Sequence, residues 1–228
     1  MSPVALITGA SRGIGAAIAR SLSDTHELLL GGRDADALGA LAASLPNARP
    51  WQVDITDHAA LAEAVPSIGR LDVLVHSAGV TELGHVVDSP PDLWRRTFDL
   101  NLFAVAELTR LLLPALRATS GQVVLINSGA GLHAHPNWGA YAASKHALRA
   151  FGDSLRAEEE REHGIRVTSV HPGRVDTDMQ RDVRAQEGGE YEPRFYLEAD
   201  SVGRAVAAAV LAGPDAHLTE IVVRPRAH

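Results

Sequence analysis

Residues 4–22 read VALITGASRGIGAAIARSL, which is an apolar run, a glycine-rich turn and an alanine-rich stretch of helical composition. This pattern predicts a strand that leads directly into a helix. Gly9, Gly13 and Gly15 lack a Cβ, so they allow a tight turn, a close approach of backbone N–H groups to a phosphate, and close packing of the helix on the strand. Such turns also occur in chains that bind no nucleotide, but the position between an N-terminal strand and a helix favours a dinucleotide site.

Six further apolar runs predict strands, and stretches of helical pattern separate them. The predicted strands are residues 4–8, 27–31, 49–53, 71–75, 122–127, 165–170 and 220–224, and the predicted helices are residues 16–22, 36–45, 57–65, 90–116, 141–163 and 201–211. Strands that alternate with helices indicate a parallel sheet with helices on both faces. We therefore expect an α/β protein with a Rossmann-type, doubly wound sheet of seven parallel strands, and ligands at the carboxyl ends of those strands.

The composition is that of an ordinary globular protein, with 228 residues, 46% of them hydrophobic and 21% charged. This length suits one core better than two, so we expect a single domain over residues 1–228. The formal charge of −7 argues against nucleic acid or an anionic membrane as a partner. No cysteine is present, which excludes disulfides and thiolate metal sites. The sequence has no signal-peptide pattern and no apolar stretch of membrane-spanning length, so we expect a cytoplasmic protein.

A phenol, an ammonium and a hydroxyl are spaced to meet at one point. Tyr141 and Lys145 are four residues apart on a predicted helix, and Ser128 lies thirteen residues before Tyr141, at the end of a predicted strand. A nearby cation favours a phenolate and so lowers a phenol pKa from its ordinary value of about 10. With Ser128 donating a hydrogen bond to a substrate oxygen, Tyr141 can exchange a proton at a carbonyl or carbinol. The spacing also arises by chance on amphipathic helices, so its meaning depends on the rest of the chain.

Two arginines favour NADP over NAD. The second predicted strand leads into Gly32 and Arg33. At this place in a dinucleotide fold an acid binds the free ribose 2′-hydroxyl, whereas an arginine accommodates a 2′-phosphate. Arg12, inside the glycine turn, can approach the same phosphate, and a guanidinium suits two-pronged binding. The alternative interpretation is that both arginines are simply solvated.

Two polar positions have open roles. Asp54, just past the third predicted strand, either caps the next helix or accepts a hydrogen bond from an adenine amino group. Asn101 lies in an apolar neighbourhood of the helical pattern 90–116, where a carbonyl freed by a kink or a water chain can satisfy its amide. Pro114 is expected to kink or end that helix.

The segment between Ser128 and Tyr141 contains His133, His135, Asn137 and Trp138, and we expect these residues to wall a substrate cleft. For the two histidines an exposed loop without a role is the alternative. No nearby carboxylate completes a His-x-His metal site, so no metal is expected.

Residues 178–200 combine weak periodicity with many charges, which indicates a lid over the substrate. The arginines of this lid, Arg181, Arg184 and Arg194, leave an anionic substrate and a neutral ketone equally open.

Taken together, these motifs resemble the short-chain dehydrogenase/reductase (SDR) family, in its single-domain branch, over essentially the whole length. TGASRGIG is similar to the family's cofactor turn, YAASK to its Tyr-x-x-x-Lys motif, and PGRVDT to its nicotinamide-side loop. The resemblance implies that Tyr141 is the proton donor to a ketone or the base toward an alcohol, and that Ser128 orients the substrate oxygen. It also implies that Lys145 lowers the pKa of Tyr141 and holds the nicotinamide ribose, while Asn101 holds a water that relays protons through Lys145.

The resemblance also assigns binding positions. The cofactor contacts are Gly9, Ser11, Arg12, Gly13, Ile14, Gly15, Arg33, Asp54, Ile55, Ser77, Ala78, Gly79, Tyr141, Lys145, Pro172, Gly173, Val175 and Thr177. The substrate contacts are Ser128, His135, Trp138 and Tyr141.

The sequence departs from the family pattern in two places. His76 and Ser77 replace the usual Asn-Asn, so Ser77 must stand in for an asparagine that bridges strands, and we expect altered local bracing rather than lost binding. The C-terminal EIVVRPRAH resembles the shorter reductases related to 3-hydroxy acid and serine dehydrogenases, which assigns no substrate.

The expected function is that of an NADP(H)-dependent oxidoreductase, a carbonyl reductase or alcohol dehydrogenase, that transfers a hydride between the nicotinamide and a ketone, aldehyde or secondary alcohol. The family implies a homodimer or homotetramer formed through the helices predicted over residues 90–116 and 141–163. The alternative is a non-catalytic NADP-binding sensor or regulator on the same fold.

Overall fold

Seven strands form one all-parallel sheet in the computed structural model, which describes residues 2–226. The strands are β1 (Val4–Thr8), β2 (Glu27–Gly32), β3 (Ala48–Gln52), β4 (Val73–His76), β5 (Gln122–Ile126), β6 (Arg166–Pro172) and β7 (Glu220–Val223). Their order in the sheet is β3-β2-β1-β4-β5-β6-β7. The chain thus starts near the centre, proceeds to one edge and returns to β4 on the other side of β1, which confirms the predicted doubly wound fold and creates a crevice between β1 and β4.

Eight α-helices accompany these strands within residues 2–226. They are α1 (Gly13–Leu22), α2 (Ala35–Ala43), α3 (His58–Ala64), α4 (Pro91–Phe98), α5 (Ala104–Arg117), α6 (Gly139–His163), α7 (Asp178–Gln186) and α8 (Ala199–Val210). Side chains alternate between the two faces of each strand, so neighbouring residues enter different cores. In β1, Leu6 packs in the core formed with α3, α5 and α6, whereas Ile7 packs in the core formed with α1, α2 and α8. Both side chains are fully buried, which contributes about 1.5–3 kcal/mol each.

The predicted continuous helix over residues 90–116 is wrong, because a π-helical turn at Asp99–Phe103 separates α4 from α5. This turn contains Asn101, whose side chain is fully buried and bonded outside the helix. The helix is thus widened at the residue whose side chain bonds to distant parts of the chain. Such π-helical turns frequently occur at functional sites. The helix does not end at Pro114, since α5 continues to Arg117.

The segment 178–200 contains more regular structure than its weak periodicity indicated. It includes α7, a short 3₁₀ turn at Pro193–Phe195 and the start of α8. Thr177 caps α7 by accepting a hydrogen bond from the backbone N–H of Gln180. Two arginines, Arg174 and Arg184, bind the carboxylate of Glu187 at the end of α7. Whether this segment moves as a lid stays a prediction.

Within residues 2–226, no helix combines the length and apolarity that a bilayer crossing requires.

Candidate active site

A cavity of about 260 Å³ lies at the carboxyl ends of β1 and β4, in the crevice that the strand order creates. The predicted cofactor contacts that line it are Gly9, Ser11, Arg12, Gly13, Ile14, Gly15, Arg33, Asp54, Ile55, Ser77, Ala78, Gly79 and Thr177. The chain therefore brings most of the predicted cofactor residues together at one place. The remaining ones belong to the neighbouring cleft or are buried beneath it.

The glycine turn fits the pyrophosphate of a dinucleotide. Gly9 has a φ of +67°, and a Cβ there would lie 2.8 Å from the Cα of Ala78, so only glycine allows this approach. A Cβ on Gly15 would lie 2.2 Å from the carbonyl oxygen of Gly9. At the start of α1, Arg12 makes no side-chain capping hydrogen bond and the first turn has no acidic residue. The first N–H groups of α1 are thus left for an anion, which the helix dipole also favours.

The two arginines predicted to bind a 2′-phosphate lie exposed at the rim of this cavity. The guanidinium of Arg33 is 3.6 Å from the carboxylate of Asp54, and that of Arg12 is 3.7 Å from Asp178. Such exposed pairs contribute little to stability, so both guanidinium groups can turn to another anion at small cost.

Asp54 does not cap a helix, so that alternative is wrong. Its carboxylate accepts hydrogen bonds from the backbone N–H and the hydroxyl of Thr56. The hydroxyl of Thr56, together with Arg33, holds the pKa of Asp54 below its ordinary value. The cap of α3 is Asp57, which accepts from two N–H groups in the first helical turn. The adenine-binding role of Asp54 stays a prediction.

Ser128, Tyr141 and Lys145 converge beside the cavity. The side chains of Ser128 and Thr81 lie near the Tyr141 hydroxyl and favour its ionised form. The Lys145 ammonium lies 5.9 Å from the centre of the Tyr141 ring and donates a hydrogen bond of 2.9 Å to the carbonyl of Ile126. Tyr141 and Lys145 are 8% and 5% exposed, so this cluster is protected from bulk water.

Burial sets the protonation of this cluster. It raises the pKa of Tyr141, and the polar side chains of Ser128 and Thr81 offset this only in part. It also lowers the pKa of Lys145 to about 8. The expected lowering of the Tyr141 pKa by the ammonium is therefore not the dominant effect, because loss of hydration penalises both charged forms.

Asn127 connects the element that carries Ser128 to the helix that carries Tyr141. Its side chain is buried, donates to the carbonyl of Lys145 at 3.1 Å and accepts from the N–H of Ser128 at 2.8 Å. Asn127 was predicted only to end a strand. Its position directly before Ser128 was the available signal.

Asn101 holds the backbone of Val80 and the side chain of Ser144 by hydrogen bonds. Its Oδ1 accepts from the N–H of Val80 at 2.9 Å, and its Nδ2 donates to the carbonyl of Val80 and to the hydroxyl of Ser144, both at 3.0 Å. A Cβ on Gly79 would lie 3.2 Å from Asn101 Oδ1 and 3.8 Å from Lys145 Nζ. Gly79 therefore packs closely against both side chains. The water-holding role of Asn101 stays a prediction.

A second cleft, of about 600 Å³, adjoins the first, since Ile14, Thr177 and Met179 line both. The predicted residues that line it are Ser128, His133, His135, Trp138, Tyr141, Pro172, Gly173 and Val175. The Trp138 ring meets the Tyr141 ring edge-on at 5.7 Å. His133 and His135 line the cleft and are also exposed to solvent, so they lie at its mouth. Asn137 is exposed and does not line it.

The charged residues of this cleft were not found by sequence analysis. Arg174, Glu187 and Arg224 line it, whereas the arginines of the segment 178–200 do not. Arg224 follows the end of β7, so its place at the carboxyl edge of the sheet was the available signal. Among residues 2–226, no group of three or more potential metal ligands is assembled.

The departure at His76 and Ser77 places an uncharged histidine inside the protein. The N–H groups of Ser77 and Ala78 donate to the hydroxyl of Thr8, so Thr8 braces β4 against β1. The His76 Nε2 lies 2.9 Å from the hydroxyl of Thr109, whose own hydrogen is donated to the carbonyl of Val105. His76 therefore carries its proton on Nε2, and its buried Nδ1 has no partner in the described chain.

His76 is expected to make the protein sensitive to acid. Burial lowers the pKa of His76 to about 3, whereas an unfolded histidine titrates near 6.5. Between these values the unfolded chain binds a proton that the folded chain excludes, so stability falls as the pH falls, by up to about 1.4 kcal/mol per pH unit. Changing His76→Asn should reduce the slope of the unfolding free energy against pH between about pH 6 and about pH 4.5. Denaturant titrations across this range measure it.

The matched control is His58→Asn, which removes an exposed histidine and should leave the slope unchanged. Equal slopes for the wild-type protein and the His76→Asn variant would show that His76 is not the acid-sensitive group.

Comparisons with known proteins agree with this arrangement. A family model described as short chain dehydrogenase matches residues 3–188. Dehydrogenase/reductase SDR family member 7B from Bos taurus is 39% identical over 204 residues, which cover 82% of this chain but only 62% of that protein's length.

Two solved structures are similar over nearly the whole chain. An alcohol dehydrogenase from the archaeon Thermococcus sibiricus, complexed with 5-hydroxy-NADP, has a TM-score of 0.89 at 27% identity, with 99% of this chain and 97% of that chain covered. The actinorhodin polyketide ketoreductase with NADPH has a TM-score of 0.91 at 27% identity, with 98% and 96% covered.

Proposed function

The chain belongs to the short-chain dehydrogenase family, and from this we propose that it transfers a hydride between NADP(H) and a ketone, aldehyde or secondary alcohol. The observation that carries the proposal is the cluster of the half-buried Ser128 with the buried Tyr141 and Lys145, beside the cavity that the glycine turn lines and the second cleft. A proton donor and a hydrogen-bond donor for one oxygen lie there, which is what carbonyl reduction needs beside the hydride.

The residues of the chain supply the proton and orient the substrate, while the bound nicotinamide supplies or accepts the hydride. Ser128 Oγ accepts the N–H of Ala130 at 3.1 Å, which leaves its own hydrogen for an oxygen in the cleft. In reduction the Tyr141 hydroxyl donates its proton to the carbonyl oxygen, and in oxidation the phenolate takes the proton back. Lys145, with a pKa of about 8, can exchange protons near neutral pH and stands beside Tyr141 to restore it.

Preference for NADP is part of the proposal. It is supported by Arg33 and Arg12 at the rim of the cavity, and by similar structures that were solved with 5-hydroxy-NADP and with NADPH. Arg33 follows β2, the strand that faces the adenosine ribose in this type of fold.

Changing Arg33→Ala should weaken NADPH binding about 10- to 100-fold and change NADH binding by less than about threefold, because only the 2′-phosphate needs a guanidinium. Fluorescence titration of each reduced cofactor measures both constants. The control is Arg20→Ala, since Arg20 is an exposed arginine paired with Asp200 at 3.2 Å and is outside both cavities. Equal losses for the two cofactors would contradict the NADP assignment.

The function itself is tested by following NADPH oxidation with a broad panel of ketones and aldehydes. Turnover of any of them supports the proposal. Tight NADPH binding with no turnover across the panel would favour an NADP-binding sensor instead.

The proposal also includes a cytoplasmic location and a homodimer or homotetramer. The absence of cysteine suits a reducing compartment. Exposed apolar side chains near α4 and α5, among them Val87 at 90% and Phe103 at 50%, are typical of a surface that a second copy covers. Light scattering that gives a monomer at micromolar concentration would exclude the oligomer.

A further inference from the structure

Arg224 places a guanidinium against the turn that carries Ser128. It follows β7, lines the second cleft together with Ser128 and Tyr141, and donates from Nη1 to the carbonyl of His171 at 2.9 Å. A Cβ on Gly129 would lie 3.3 Å from both Nη1 and Nη2 of Arg224. The guanidinium therefore rests on the backbone of the residue next to Ser128.

The edge of this guanidinium that is best suited to a carboxylate is free. Elsewhere in the protein, Arg70, Arg96, Arg110 and Arg117 each bind a carboxylate through Nε and Nη2 together. In Arg224 these two nitrogens donate to no atom of residues 2–226, since its hydrogen bonds come from Nη1 alone. Nε and Nη2 of Arg224 are thus available to bind a carboxylate through two hydrogen bonds.

The charge of Arg224 is also unbalanced. The other charged pair of the cleft is complete, because Arg174 binds Glu187 through two hydrogen bonds of 2.8 and 2.7 Å. The nearby carboxylate of Glu220 accepts from Arg149 at 2.8 Å. Within residues 2–226, no carboxylate lies within ion-pair distance of Arg224. Among the described residues, the exposed guanidinium of Arg224 therefore lines the second cleft without an acidic partner.

We propose that Arg224 binds a carboxylate of the substrate, so that the enzyme reduces oxo acids or oxidises the corresponding hydroxy acids. This inference rests on the proposed function, since it requires the reacting carbonyl to lie at Tyr141. In reduction the carbonyl carbon gains the hydride, the carbonyl oxygen gains the Tyr141 proton, and the carboxylate on Arg224 is unchanged. The exposed guanidinium of Arg224 can bind a carboxylate through two hydrogen bonds, which favours an acid over its neutral ester, because the ester offers no charge and a weaker acceptor.

The test compares oxo acids of increasing chain length with their methyl esters, in steady-state assays with NADPH. The wild-type protein should prefer at least one acid to its ester. Arg224→Gln should lower kcat/KM for that acid about 10- to 100-fold and change the ester by less than about threefold, because one charge-assisted contact is lost. Arg224→Lys should restore part of the preference, since it keeps the charge without the planar edge.

Arg226→Gln is the matched control, because it makes the same change in net charge. Arg226 is exposed, lies two residues after Arg224 and does not line the cleft. It should leave the ratio of acid to ester near the wild-type value. If every ester is used as well as its acid, or if Arg224→Gln lowers acid and ester equally, Arg224 is not the carboxylate site.

A binding experiment separates this inference from the proposed function. Isothermal titration calorimetry with the hydroxy acids and their methyl esters needs no turnover. Binding of an acid that the ester does not show and that Arg224→Gln abolishes supports the carboxylate site even if no ketone is reduced. Equal binding of acids and esters overturns it even if neutral ketones are reduced.

Discussion

Replacing Tyr141 with phenylalanine is expected to lower kcat for ketone reduction by about 10²–10⁴-fold, the usual contribution of a positioned general acid. The change removes only the hydroxyl, and the phenylalanine ring can keep the edge-on contact with Trp138 at 5.7 Å. Ser128 and Thr81 lie near the hydroxyl that is removed, but neither can replace a phenol as a proton donor, because alcohol hydroxyls are far weaker acids. Steady-state NADPH oxidation measures the loss, and fluorescence titration should show that NADPH still binds.

Tyr196→Phe is the control for this substitution. It removes the hydroxyl of a tyrosine that packs against Tyr191 and lines neither cavity. Its kcat should stay within about twofold of the wild-type value, as expected for a hydroxyl that does not contribute to the transition state. A Tyr141→Phe variant that keeps more than about a tenth of the wild-type kcat would show that another group gives the proton.

A Cβ at Gly9 should destabilise the fold strongly. Gly9→Ala forces a side chain into a backbone conformation at φ +67° and places its Cβ 2.8 Å from both the N and the Cα of Ala78. The left-handed conformation costs about 1–2 kcal/mol and overpacking about 1–3 kcal/mol, so the free energy of unfolding should fall by about 2–5 kcal/mol. Gly9 and Ala78 both line the cofactor cavity, so pushing them apart should also weaken NADPH binding. Urea denaturation and fluorescence titration measure the two effects.

Gly39→Ala makes the same chemical change where nothing opposes it. Gly39 lies in α2, and no atom would lie within 4 Å of the added Cβ. Alanine is the better helix former by up to about 1 kcal/mol, so this variant should be as stable as the wild-type protein or slightly more stable. If the two alanine variants lost stability equally, the close approach of Gly9 to Ala78 would not be the cause.

The architecture could be predicted because its determinants are local and repeated. Apolar strands that alternate with helical stretches leave few sheet topologies, since parallel strands need right-handed crossover connections. The residues of β1 enter both cores by simple alternation, as the runs of apolar residues indicated. The convergence of Ser128, Tyr141 and Lys145 also has a local origin, because residues four apart share a helix face and a strand end delivers the serine to the same edge.

The errors arose where distant residues decide the outcome. The π-helical turn at Asp99–Phe103 accompanies bonds from Asn101 to Val80 and Ser144, which are 21 and 43 positions away in the chain. The raised pKa of Tyr141 reflects everything packed around the ring, whereas its spacing from Lys145 suggested only the effect of a cation.

The sequence by itself determined the doubly wound sheet, the glycine turn and the three residues that meet beside it, because hydrophobic periodicity and backbone geometry act over a few residues. Only the tertiary structure decided that the free cation of the cleft is Arg224 rather than an arginine of the segment 178–200. Arg181 and Arg184 have acidic partners close to them in the chain, while Arg224 reaches the turn of Ser128 because β7 pairs with β6 and β6 with β5. Contacts of this kind depend on how side chains from distant strand ends meet in the folded protein, which the alternation of strands and helices does not specify.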